Sequence, residues 1–79
     1  MTVVTQSRLR QLREQMTPKI SQEGMARQVG ITHQWYRLVE CGRSTSWTTA
    51  NAILTAINAE RRKRDLGTLS LEELELRIV

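Results

Sequence analysis

The stretch Ser21 to Gly42, SQEGMARQVGITHQWYRLVECG, constrains the fold more than any other part of the chain. It reads as two short helices joined by a tight turn. Ser21 is a good N-cap, because its hydroxyl can accept a backbone N–H that the first turn leaves unpaired. Ile20 before it stands where a hydrophobic staple onto Met25 is expected. Met25, Ala26 and Val29 then fall on one face at helical spacing. Gly30 is placed to leave this helix with positive φ, which a residue without Cβ adopts readily. Thr32 supplies a new N-cap two residues later. The second helix is expected to run to about Cys41, with Gly42 as its stop signal.

Two helices sharing a turn of three or four residues form a helix-turn-helix arrangement. The second of them sorts its side chains cleanly at about 100° per residue. Trp35, Tyr36 and Val39 occupy one side, suited to packing. His33, Gln34, Arg37, Leu38 and Cys41 occupy the other. His, Gln and Arg are hydrogen-bonding side chains of a length that reaches base edges. The same residue types also occur as solvated positions on an exposed helix.

Upstream, TQSRLRQLREQM places Leu9, Leu12 and Met16 on one face, predicting an amphipathic helix from about Thr5 to Met16 after a loose end at residues 1–5. Thr17-Pro18-Lys19 breaks it, since proline disfavours helix for the residue before it. Downstream, Arg43-Ser44-Thr45-Ser46 reads as a polar loop. A fourth helix is expected from Ser46 or Thr48, because Ala50, Ile53, Leu54 and Ile57 follow the i, i+3, i+4, i+7 rule. It can continue through Asn58 to Arg64, with Gly67 as its end. Trp47 is expected at a core edge. Ser70 and Glu73 then form a capping box with Leu69 and Leu74 at the staple positions, predicting a short helix from Ser70. Residues 76–79 fit helix or strand equally well.

A chain of 79 residues holds one small core and no deep cleft. Its net charge of +4 hides an asymmetry. Residues 1–64 carry eleven Lys and Arg against four Glu, whereas residues 65–79 carry one Arg against four acids. A basic body suggests a polyanionic partner. The domain organisation is therefore read as a basic helix-turn-helix unit over 1–64 and an acidic, apolar extension over 65–79. Leu69, Leu71, Leu74, Leu76, Ile78 and Val79 are too many apolar residues to leave in water, so the extension either covers the core or forms a homodimer surface.

Enzymatic chemistry has little support in the residues. His33 and Cys41 lie about 12 Å apart along one helix at 1.5 Å per residue, too far for a dyad or a shared metal. No Gly-rich phosphate loop is present, and no cofactor or metal is implied. The lone Cys41 permits no intramolecular disulfide. Neither a signal peptide nor a membrane-spanning run is evident, so a cytoplasmic, nucleoid-associated protein is expected.

The ordered set SQExMAxxxGITxxxYxxVExGR at Ser21 to Arg43, followed by SxxTAxxILxAI at Ser46 to Ile57, resembles the lambda-repressor/Cro (XRE-type) family of helix-turn-helix DNA-binding domains. The resemblance covers about Arg8 to Ile57. It implies an all-α bundle of four to five helices in which helix 32–41 enters the major groove of double-stranded DNA. His33, Gln34 and Arg37 then match the base-reading positions, Gln34 suited to adenine N6/N7 and Arg37 to guanine O6/N7. Gln22 matches a glutamine that grips phosphate, and Thr32, Arg43, Ser44 and Thr45 are further phosphate candidates. Glu40 matches a glutamate that pairs with an arginine of the first helix, here Arg13. The sequence departs from the family in a longer connection at Thr17–Lys19. It departs again at Gly24, where a helix former is usual and where close approach of a neighbouring backbone is one explanation. The expected function is a transcriptional regulator, in the main a repressor and often a homodimer. The alternative is an antitoxin-like or adaptor module that uses the same fold, and residues 69–79, to bind protein.

Overall fold

The computed structural model describes residues 7–79. The expected loose end at 1–5, with Thr5 and Gln6 of the first helix, lies outside the described residues. Among those described, four α-helices and one 3₁₀ helix account for the regular structure: α1 Arg8–Glu14, α2 Gln22–Val29, α3 His33–Glu40, α4 Trp47–Lys63 and the 3₁₀ helix Leu71–Leu74. The all-α bundle of four to five helices that the resemblance implies is the observed fold.

Each α-helix begins at a hydroxyl cap. Ser7, Ser21, Thr32 and Ser46 accept N–H bonds from Arg10, Gly24, Trp35 and Thr49 at 2.9–3.1 Å. Such caps satisfy donors the first turn cannot pair internally, each worth about 1 kcal/mol. Gly30 (φ 90°) and Gly42 (φ 106°) leave α2 and α3 in the left-handed region. At the end of α3 the Gly42 and Arg43 N–H groups return to the carbonyls of Val39 and Leu38, both at 3.0 Å. This is a Schellman closure, and it fixes the direction in which the chain leaves the helix.

The core gathers Leu9, Leu12 and Met16 with Met25, Ala26, Tyr36, Val39, Ile53, Ala56 and Ile57, and Leu74 from the 3₁₀ helix joins them. Burying each large side chain contributes roughly 1.5–3 kcal/mol. α2 packs against both α3 and α4, while the 3₁₀ helix packs on α1 and α4. Part of the C-terminal extension therefore covers the core. Leu69, Leu71 and Leu76 are half-buried against it, whereas Ile78 and Val79 stay exposed.

Several expectations need correction. α4 stops before Asp65, not at Gly67: Asp65 takes φ 59° and the Leu66 N–H closes onto the Arg61 carbonyl at 2.8 Å. Asp tolerates the left-handed region better than most residues with a Cβ. Trp47 is not a core edge but 62% exposed. Its place at the first turn of α4, just after the cap, points it away from the apolar face. Residues 76–79 form neither helix nor full strand; Ile78 makes one parallel bridge with Thr45. At Gly24 the close neighbours are side chains, not backbone. A Cβ there would lie 3.2 Å from both Ile20 Cγ1 and the capping Ser21 Oγ, so the glycine leaves room for staple and cap together.

Candidate nucleic-acid interface

The inner face of α3 is anchored by Tyr36, Val39 and Glu40, all buried, with Trp35 half-buried beside them. Glu40 carries the polar part of that anchor. Its Oε2 accepts from Arg13 Nε at 2.7 Å, and its Oε1 accepts from Arg13 Nη2 at 3.3 Å and from Gln22 Nε2 at 2.9 Å. Arg13 Nη1 also donates to the Ile20 carbonyl at 2.9 Å. One carboxylate thus ties α1, the start of α2 and the end of α3. Burial lowers the Arg13 pKa, but the hydrogen bond and charge of Glu40 outweigh it, and the net direction is upward. The Tyr36 hydroxyl is buried without a hydrogen-bond partner. Burial, then the charge of Glu40, pushes its ionisation far above the ordinary range.

With that face fixed, the opposite one must face solvent. His33, Gln34 and Arg37 are all exposed and together line a shallow concavity of about 260 Å³. Positions i, i+1 and i+4 on a helix converge in this way because the last returns above the first after one turn. Cys41 is exposed one turn beyond Arg37, and Leu38 is half-buried.

The phosphate candidates divide. Arg43 is exposed in the loop after α3, and Ser44 beside it is half-buried. Thr32 is exposed, with its hydroxyl engaged as the α3 cap. Gln22 stands in the first turn of α2 with one amide hydrogen committed to Glu40, leaving its second for another acceptor. Thr45 does not fit. It is 2% exposed, and its backbone is held by the C-terminal segment, which turns its side chain inward.

Sequence reasoning also missed a second polar cluster. Glu60 accepts from Arg64 Nη1 at 2.7 Å, from Gln28 Nε2 and from Lys63 Nζ at 3.1 Å, joining α4 to α2. Those bonds, Arg64 first, push its carboxyl down to about 2. Arg64 further reaches the Pro18 carbonyl, and Arg61 the Gly67 carbonyl. Of the basic run at 61–64, Arg61, Lys63 and Arg64 therefore bond within the fold, although Lys63 stays exposed, and Arg62 is exposed too. Four adjacent cations in a sequence carry no mark of which are engaged in this way.

A family model described as a helix-turn-helix domain matches residues 7–67. The chain belongs to the helix-turn-helix domain family. The matched span takes in all four α-helices and ends before the 3₁₀ helix, so the helix-turn-helix unit proper is α2, the turn at Gly30–Thr32 and α3. This type of domain suggests a DNA-binding regulator. No curated protein and no solved structure matches the chain. Among the described residues, no helix is long and apolar enough to cross a membrane.

Proposed function

We propose that this chain is a sequence-specific duplex-DNA-binding regulator that reads the major groove with α3. The supporting observation is the division of that helix. One face is locked into the core through Tyr36, Val39 and Glu40, and the other gathers His33, Gln34 and Arg37 into one exposed concavity. In this reading Arg37 pairs with guanine, Gln34 with adenine, and His33 donates or accepts according to its tautomer. Gln22, Thr32, Arg43 and Ser44 hold phosphates and set the register without carrying sequence information. Repression is the regulatory sign we favour, because it requires only that the bound domain occlude a promoter.

The protein acts as a homodimer in this proposal. Trp47 and Ile78 are exposed apolar residues that line one groove, and the bridge from Ile78 to Thr45 sets that groove beside the loop that carries Arg43. Reading a two-fold symmetric site with such a dimer requires the two α3 helices to lie about 34–36 Å apart. Selection from random duplex DNA at near-physiological salt tests the reading. An enriched inverted repeat is the expected result. An enriched single half-site would retain base reading and remove the symmetric dimer, and no enrichment would remove both.

A second reading rests on the groove of about 300 Å³ lined by Trp47, Leu71, Leu76 and Ile78, with Glu72 and Glu75 at its lip. An acidic, apolar groove suits a polypeptide better than DNA, which favours an antitoxin-like or adaptor module. Salt separates the two. Binding through several phosphates falls steeply with ionic strength, whereas association through an apolar groove does not.

A further inference from the structure

The loop Gly42–Ser46 is fixed at both ends by helix caps but has no internal bond at its centre. The Schellman closure holds Gly42 and Arg43, and the Ser46 hydroxyl begins α4. Between them, Thr45 uses both its backbone groups on the C-terminal segment. Its N–H donates to the Arg77 carbonyl at 2.8 Å, and its carbonyl accepts from the Val79 N–H at 3.0 Å. Thr45 is almost wholly buried in consequence, while the Val79 side chain is 87% exposed. The attachment is thus made by backbone, not by side-chain packing of the last residue.

The segment that makes this attachment is itself anchored elsewhere. Leu74 is fully buried in the core. The Asn58 side chain takes both backbone groups of Leu69, donating to its carbonyl at 3.0 Å and accepting its N–H at 2.7 Å. The Ser70 N–H donates to Glu73 at 2.9 Å, holding the start of the 3₁₀ helix. Residues 77–79 therefore take their position from α4 and the core and transmit it to Thr45. Arg43 and Ser44 lie one and two residues before Thr45. We infer that the C-terminal segment Arg77–Val79 is a positioning element for the phosphate-contacting loop, tuning DNA affinity through Thr45 without touching DNA. This rests on the DNA-binding reading above. It also gives a role to residues beyond 67, where the family match ends.

The test compares Val79→Pro and Val79→Ala with the wild type on the selected duplex. Proline removes the one N–H that reaches Thr45, and it favours extended backbone at Ile78, as the bridge requires. Affinity and its salt dependence are measured together with melting and sedimentation. We expect Val79→Pro to bind roughly three- to tenfold more weakly. Its log-log salt slope should be shallower by about one, the loss of one phosphate contact, with base preference unchanged. Val79→Ala, which keeps the N–H, should bind as the wild type. Equal affinity and slope for Val79→Pro and wild type would overturn the inference. So would a loss that tracks the unfolded fraction or the loss of dimer, or an equal loss in Val79→Ala. A wild-type protein that binds no duplex at all would instead remove the DNA reading, and this inference with it.

Discussion

Glu40 accepts a 2.7 Å bond from Arg13 across 27 residues of sequence, and both side chains are buried. Neither charge has water to fall back on. Gln22 completes the carboxylate's coordination, so the pair sets the angle between α1, α2 and α3. Removing one partner leaves the other charge buried and unpaired, at a cost of about 3–5 kcal/mol. Small domains have little more than that to lose. Glu40→Ala is therefore expected to be largely unfolded at 25 °C in urea titrations followed by circular dichroism. A double variant, Arg13→Met with Glu40→Leu, should recover much of the loss, because no lone charge remains. If the single and double variants are equally unstable, the geometry of the pair matters more than its charge.

Arg37 and Arg43 are both exposed cations near the reading face, yet they should fail differently. Arg37→Ala is expected to cost about 1–3 kcal/mol on the best site and to relax preference at one base pair. Arg43→Ala should weaken binding to every site alike and reduce the salt slope by about one. Titrating both variants against a panel of single-base site variants distinguishes them. A uniform loss with Arg37→Ala would make it a phosphate clamp.

How far the sequence could be read depends on whether an element is set locally. The caps at Ser21 and Thr32 and the left-handed exits at Gly30 and Gly42 need only their neighbours, and they stand where the residue types put them. The inward and outward faces of α3 follow from its period in the same way. The Arg13–Glu40 pair was reached through the family resemblance, since nothing local joins residues so far apart. Thr45 could not be read at all. A short polar loop residue looks solvated, and only a backbone bridge to a segment more than thirty residues later buries it. Trp47 misleads for the opposite reason: an aromatic at a helix start suggests core, but its position in the first turn points it outward.

Asp65 ends α4 with φ 59°, where a Cβ is strained and glycine is not. The Asp65 and Leu66 N–H groups already close onto the carbonyls of Arg62 and Arg61, so the backbone fold of the cap does not depend on the aspartate. The side chain is exposed. Asp65→Gly should therefore stabilise the domain by about 1 kcal/mol, the strain of a non-glycine residue in this region at its low end. For a domain of this size that raises the melting temperature by about 4–8 °C. A lower melting temperature would mean that the aspartate makes a compensating charge contact with the basic end of α4.

Glu60 gives the stability a dependence on acid. Its carboxyl is held at about 2, against an ordinary value of 4.5, chiefly by the bond from Arg64 and then by Gln28 and Lys63. The folded state binds this proton more weakly than the unfolded state does. The carboxylate therefore contributes its full stabilisation above pH 4.5 and loses it as the pH falls towards 2. At about 1.4 kcal/mol per tenfold change in proton affinity, the contribution is on the order of 3 kcal/mol. Urea unfolding at pH 7 and pH 3 should show wild type losing more stability than Glu60→Gln, because the variant has no carboxylate to protonate. Equal losses in the two proteins would assign the acid sensitivity to other carboxylates and reduce the contacts of Glu60 with Arg64 and Gln28 to neutral hydrogen bonds.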